Sequence, residues 1–180
     1  MPRIFTLAAA IAFVLSGCTL PTPDSSVFEQ SASGKDAFWE KNSAQSSGES
    51  PTLAGAPYPA DMEHLNEIIA LTDAKGLPEG ATDIAVAPAR KFAASYPGGW
   101  GYVISFHAEE QAIRDYFGKH TTFDGDDIEL FDDAEPNNQF EDIDISTINH
   151  PLVTGFDSST QIALERPLGR CWLLIRGGGR

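Results

Sequence analysis

From Trp100 to Phe106 the chain alternates large apolar side chains (Trp100, Tyr102, Ile104, Phe106) with Gly101, Val103 and Ser105. A period of two is the mark of a strand with a buried face. A second run, Cys171-Trp172-Leu173-Leu174-Ile175, is apolar on both faces, which suits a strand inside a sheet and not at its edge. Just before it lies Arg166-Pro167-Leu168-Gly169. Proline second and glycine fourth predict a type I turn, so 160–165 and 170–176 read as a hairpin. Ile84 and Val86 predict one more strand over 83–87, and Pro97-Gly98-Gly99 a turn.

Helices are expected at two places. Asp61 can cap one over 62–75, with Met62, Leu65, Ile68, Ile69 and Thr72 along one stripe and Gly76 at its end. The other follows the alternating strand over 108–117, with Glu109 and Glu110 in its first turn. Its apolar stripe is Ala112, Ile113, Tyr116 and Phe117, and Gly118 is its expected stop. Strands and helices in this order predict an α+β fold: an antiparallel sheet of about four or five strands with two helices on one face, over 61–180.

The remaining chain differs in kind. In 19–60, 19 of the 42 residues are Ser, Pro, Gly or Thr. Such a stretch cannot bury enough surface to offset the entropy of ordering it, so it reads as a disordered tether. As a coil its ends would lie roughly 35–40 Å apart. Phe28, Phe38 and Trp39 interrupt it and read as local clusters or as docking onto the domain.

Residues 1–18 read MPRIFTLAAAIAFVLSGC. Arg3 precedes an apolar run from Ile4 to Leu15, broken only by Thr6. Its twelve residues are too few to span a bilayer, which needs ~20, but suit the apolar part of a secretory signal. The run closes on Leu15-Ser16-Gly17-Cys18, which resembles the lipobox of bacterial lipoprotein signal peptides. The resemblance implies a signal peptide over 1–17, cleavage between Gly17 and Cys18, and a diacylglyceryl group on the Cys18 sulfur. It implies a protein held to the cell membrane on its extracytoplasmic face, with 18–60 as lipidated N-terminus and tether. Two or more acyl chains anchor stably where one binds only marginally. Thr19 follows the cysteine, so the aspartate that resembles an inner-membrane retention signal is absent.

Charge narrows the partners. Twelve Lys and Arg stand against 26 Asp and Glu, a net charge of −14, which argues against nucleic acid. Two cysteines exclude a disulfide-dense scaffold and a four-cysteine zinc site. With Cys18 alkylated, Cys171 has no partner and reads as a buried, inert thiol.

The motifs of catalysis are sparse. The sequence holds no G-x-S-x-G, Walker loop, G-x-G-x-x-G or H-E-x-x-H. His107-Ala108-Glu109 matches the H-x-E of zinc deaminases, but their P-C-x-x-C partner is missing. His107 therefore reads first as a capping or packing residue at a strand-to-helix junction, and His64, His120 and His150 are isolated in sequence. From Asp124 to Asp144 there are ten carboxylates in 21 residues and no Lys or Arg. Asp124, Asp126, Asp132 and Glu135 are the weak candidates for a cation site. The segment fails the calcium-loop pattern, because Ile128 and Leu130 fall at ligand positions. Ile128, Leu130, Phe131, Ile143 and Ile145 suggest short strands with a wet acidic face. No cofactor is expected. The function that fits is a membrane-anchored binding or envelope-support domain, not an enzyme, with an envelope protein as a possible partner. The alternative is an envelope hydrolase using His107 with Asp126 or Asp132 of the acidic segment.

Overall fold

The structure, a computed structural model, describes residues 52–136 and 142–178. Five strands form one antiparallel sheet: β1 (Thr82–Pro88), β2 (Gly99–His107), β3 (Leu152–Gly155), β4 (Thr160–Leu164) and β5 (Arg170–Gly178), in the order β1-β2-β5-β4-β3. The doubly apolar run lies at the centre, as its pattern requires. In the β2–β5 register Tyr102 stands opposite Ile175, Ile104 opposite Leu173 and Phe106 opposite Cys171.

Those side chains, with Ile162 and Leu164, point to the first face of the sheet. There they meet Ile68 and Ile69 of α1 (Leu65–Ile69) and Ile113, Tyr116 and Phe117 of α3 (Glu110–His120). This is the expected α+β arrangement with two helices on one face. Each such apolar side chain, fully buried, contributes about 1.5–3 kcal/mol relative to exposure. The second face is covered as well. Val103, Ala163, Trp172 and Leu174 pack with Ala89, Ile143, Ile145 and Ile148, beside Phe92 of the short α2 (Arg90–Ser95).

Several local expectations are corrected. The helix expected over 62–75 is only Leu65–Ile69. Asp61 accepts the His64 N–H at 3.1 Å and meets the His64 ring at 2.7 Å, so the helix starts only after His64. Downstream, Leu71 and Thr72 donate three residues back, to Ile68 and Ile69, and that tightening ends it. Met62 consequently faces solvent, and the left-handed residue is Lys75 (φ 53°), one before Gly76.

The second helix runs past Gly118 to His120. Gly118 serves close approach instead of termination: a Cβ there would lie 3.2 Å from the Gly125 nitrogen. The hairpin loop is wider than a type I turn. Glu165 N–H donates to Arg170 O, while Arg166 O accepts from Asn149 Nδ2. α2 and β3 carry no sequence signal of their own, being six and four residues long.

The tether expectation also changes at its inner end. Residues 56–60 lie on the domain: Ala56 and Tyr58 pack against the first core, Ala60 is buried, and the Tyr102 hydroxyl bonds to both the N–H and the carbonyl of Tyr58. Residues 1–51, and with them the expected signal peptide, Gly17, Cys18 and the rest of the expected tether, lie outside the described residues. Among the described residues no helix is long and apolar enough to cross a membrane.

Candidate functional site

The acidic segment is built around two arginines from outside it. Arg114 of α3 donates to Gly125 O at 2.8 Å and to Glu110 at 2.7 Å, and pairs with both carboxylate oxygens of Glu129. Hydrogen bonding to Arg114 holds the Glu129 carboxyl below its ordinary range, and the same two carboxylates hold the guanidinium charged. Arg166, from the β4–β5 loop, is 8% exposed. It donates to the carbonyls of His150 at 2.7 Å, Phe131 at 2.6 Å and Ile128 at 3.1 Å, and to Asp133 at 2.6 Å. Planar, forked donors suit this many acceptors at once.

Three more carboxylates of the segment work on backbone. Asp142 accepts the N–H groups of Lys91 and Phe92 at 2.8 and 2.9 Å, at the start of α2, where a negative charge is favoured. Asp124 caps the 3-10 helix Gly125–Leu130, and Asp144 caps the 3-10 helix Ile145–Thr147. The expected short strands are therefore these two 3-10 helices. Ile128, Ile143 and Ile145 are buried as expected, but Leu130 is 79% exposed.

Asp126, Asp127, Asp132 and Glu135 remain exposed to solvent. Of the four weak cation candidates, Asp124 is a helix cap and Asp126, Asp132 and Glu135 are surface residues. Among the described residues no three His, Cys, Asp or Glu gather in a way that could hold a metal ion. Calcium titrated at a constant ~0.3 M NaCl, where the Debye length falls below ~8 Å, should therefore leave the unfolding midpoint unchanged. A saturable rise that magnesium does not reproduce would contradict this.

The histidines are dispersed. His107 ends β2 with its Nδ1 3.6 Å from Asp83, whose backbone is left-handed (φ 48°) at the irregularity between Thr82 and Ala85. Strand alternation puts His107 with Val103 on the second face. The helix bearing Asp126 packs through Ile128 on the first face. The alternative expectation joined His107 to Asp126 or Asp132; His107 and the helix bearing Asp126 lie on opposite faces of the sheet. His150 pairs with Asp133 at 2.9 Å, and His64 with Asp61. His120 packs between rings, 4.8 Å from Tyr116 and 5.8 Å from Phe156, and burial with the nearby Lys119 lowers its pKa, favouring neutral imidazole.

Two open depressions flank α3. One, of about 580 Å³, is lined by Arg114, Asp115, Gly118, Phe123, Asp124 and Asp126 among others. The other, of about 510 Å³, is lined by Gly76, Pro78, Glu79, Tyr116, Lys119 and His120 among others. Neither serine nor cysteine lines either one. Tyr116 already donates its hydroxyl to Gly76 O at 2.9 Å, and burial raises its pKa. Cys171 is buried in the first core, where burial and the Glu165 charge raise the thiol pKa far above neutrality. Hydrogen-bonding and stacking groups are on offer in both depressions.

Sequence reasoning missed Arg114 and Arg166, the residues that organise the acidic surface. Glu110 and Arg114, four residues apart on one helix, are a legible pair, but Glu129 lies 15 residues from Arg114 and Asp133 lies 33 from Arg166, and no spacing marks those. No family model, no curated protein and no solved structure matches this chain, and neither the fold nor the acidic surface takes a role from a relative.

Proposed function

We propose that this chain is an extracytoplasmic lipoprotein, held to the cell membrane through a lipid on Cys18, whose α+β domain binds a partner or supports an envelope assembly without catalysing a reaction. The observation that carries the reading is the sequence Leu15-Ser16-Gly17-Cys18, closing a twelve-residue apolar run behind Arg3. The domain's surface agrees with a module of this kind. Several of its carboxylates serve as helix caps or arginine partners that fix the shape of the surface, and the histidines are spread over separate places in the fold.

Lipid labelling tests it directly. Cells fed labelled fatty acid should incorporate label into the wild-type chain and none into Cys18→Ser, which should accumulate as an uncleaved, signal-bearing precursor. Equal labelling of the two would overturn the anchor.

A further inference from the structure

We propose that residues 52–59 form a strap that lifts from the sheet on its own, while the sheet stays folded, and in lifting uncovers Tyr102 and Trp100. The strap has neither helix nor strand to hold it. Within itself it makes one backbone bond, Ala56 N–H to Leu53 O at 3.0 Å. Among the described residues its hydrogen bonds to the sheet run through one hydroxyl: Tyr102 accepts the Tyr58 N–H at 3.0 Å and donates to the Tyr58 carbonyl at 2.7 Å. Gly55 crosses above Trp100, whose Cδ1 would lie 3.7 Å from a Cβ at that position. Beneath the strap Tyr102 is 1% exposed, and its ring leans on Trp100 at 5.8 Å.

Below this point the chain is fixed. Ala60 is buried, and Asp61 is tied to His64 through backbone and ring, so the hinge falls at Pro59 and Ala60. Opening is local because its cost is local. Water replaces both bonds of the Tyr102 hydroxyl, which makes their net contribution small. What remains is the partly buried surface of Ala56 and Tyr58 and the Tyr58 ring stacked on His64 at 6.2 Å, whereas opening the sheet breaks strand pairing and both cores. Segments with few buried contacts and exposed backbone open well below the global free energy. The inference stands independently of the lipid anchor.

Native-state hydrogen exchange on the full chain tests it. The Tyr58 N–H should exchange on the order of 100-fold faster than the amides of β5, at a rate insensitive to dilute urea, while β5 exchange rises with urea. Gly55→Ala forces a side chain into φ +85° with no clash, so it strains the strap alone. It should speed Tyr58 exchange roughly 5- to 30-fold and leave β5 unchanged. It should also raise oxidative labelling of Trp100 relative to Trp172, which is buried on the other face. Tyr58 exchanging in step with β5, or equal acceleration of both by Gly55→Ala, would overturn the proposal. So would exchange of Tyr58 at the unprotected rate, since no closed strap would then exist.

Discussion

Arg166→Ala should cost about 3–5 kcal/mol of unfolding free energy, read as a lower urea midpoint. Against the ~5–15 kcal/mol typical of a folded domain this is a large fraction. The cost comes less from the lost attraction than from what is left behind. The buried carbonyl of Ile128 and the part-buried carbonyls of Phe131 and His150 lose their donor, and an unsatisfied buried acceptor costs about 1–3 kcal/mol, a part-buried one less. Asp133 also loses its cation, yet it is half exposed and water compensates it. Asp133→Asn alone should therefore cost no more than about 1 kcal/mol. Arg166→Lys should recover less than half of the loss, because one ammonium cannot reach three carbonyls and a carboxylate that lie around a planar fork. A loss below about 1 kcal/mol in Arg166→Ala would show that the acidic segment holds its place without the arginine.

The difference between what the sequence reveals and what it hides follows from the range of the forces involved. Trp100 to Phe106 and Cys171 to Ile175 announce themselves because burial acts on every second side chain of a strand, and that period survives in the sequence. The place of β5 at the centre of the sheet follows from its two apolar faces, and both faces are indeed covered.

Where long-range contacts set the local structure, the signal is lost. Gly118 looks like a helix stop, and only the approach of Gly125, seven residues later, explains a glycine inside α3. The composition of 52–60 resembles the preceding stretch, and nothing local shows that Tyr102, 44 residues on, clamps Tyr58. The acidic segment is the clearest case. Read alone it is a run of repelling charge, but Arg114 and Arg166 neutralise part of it, and Asp142 sits on the start of a helix about 50 residues earlier. Its isoleucines were legible as buried. Their destination was not, because Ile128 joins the first core while Ile143 and Ile145 join the second.

That division makes the second face a distinct element of stability, and Trp172 its test. Trp172 lies between Ser105 of β2 and Ala163 of β4 in the sheet register, under Ile143, Ile145 and Ile148, with the Arg170 guanidinium 4.9 Å from its ring. Trp172→Ala should cost about 3–5 kcal/mol, the range for deleting a large aromatic side chain from a packed core. Trp172→Phe keeps most of the contact area and should cost less than about 1.5 kcal/mol. The Ala variant should also become cleavable within 142–148 under conditions where β2 and β5 stay protected from hydrogen exchange, because the lost ring is the largest side chain of that cluster. The magnitude decides between two pictures of the fold. A loop draped loosely over the sheet would collapse into the vacated space, and Trp172→Ala would then lose only about 1–1.5 kcal/mol, no more than the Phe variant. A loss of 3 kcal/mol or more, restored by Phe, requires that 142–148 be packed as firmly against the sheet as α3 is on the other side.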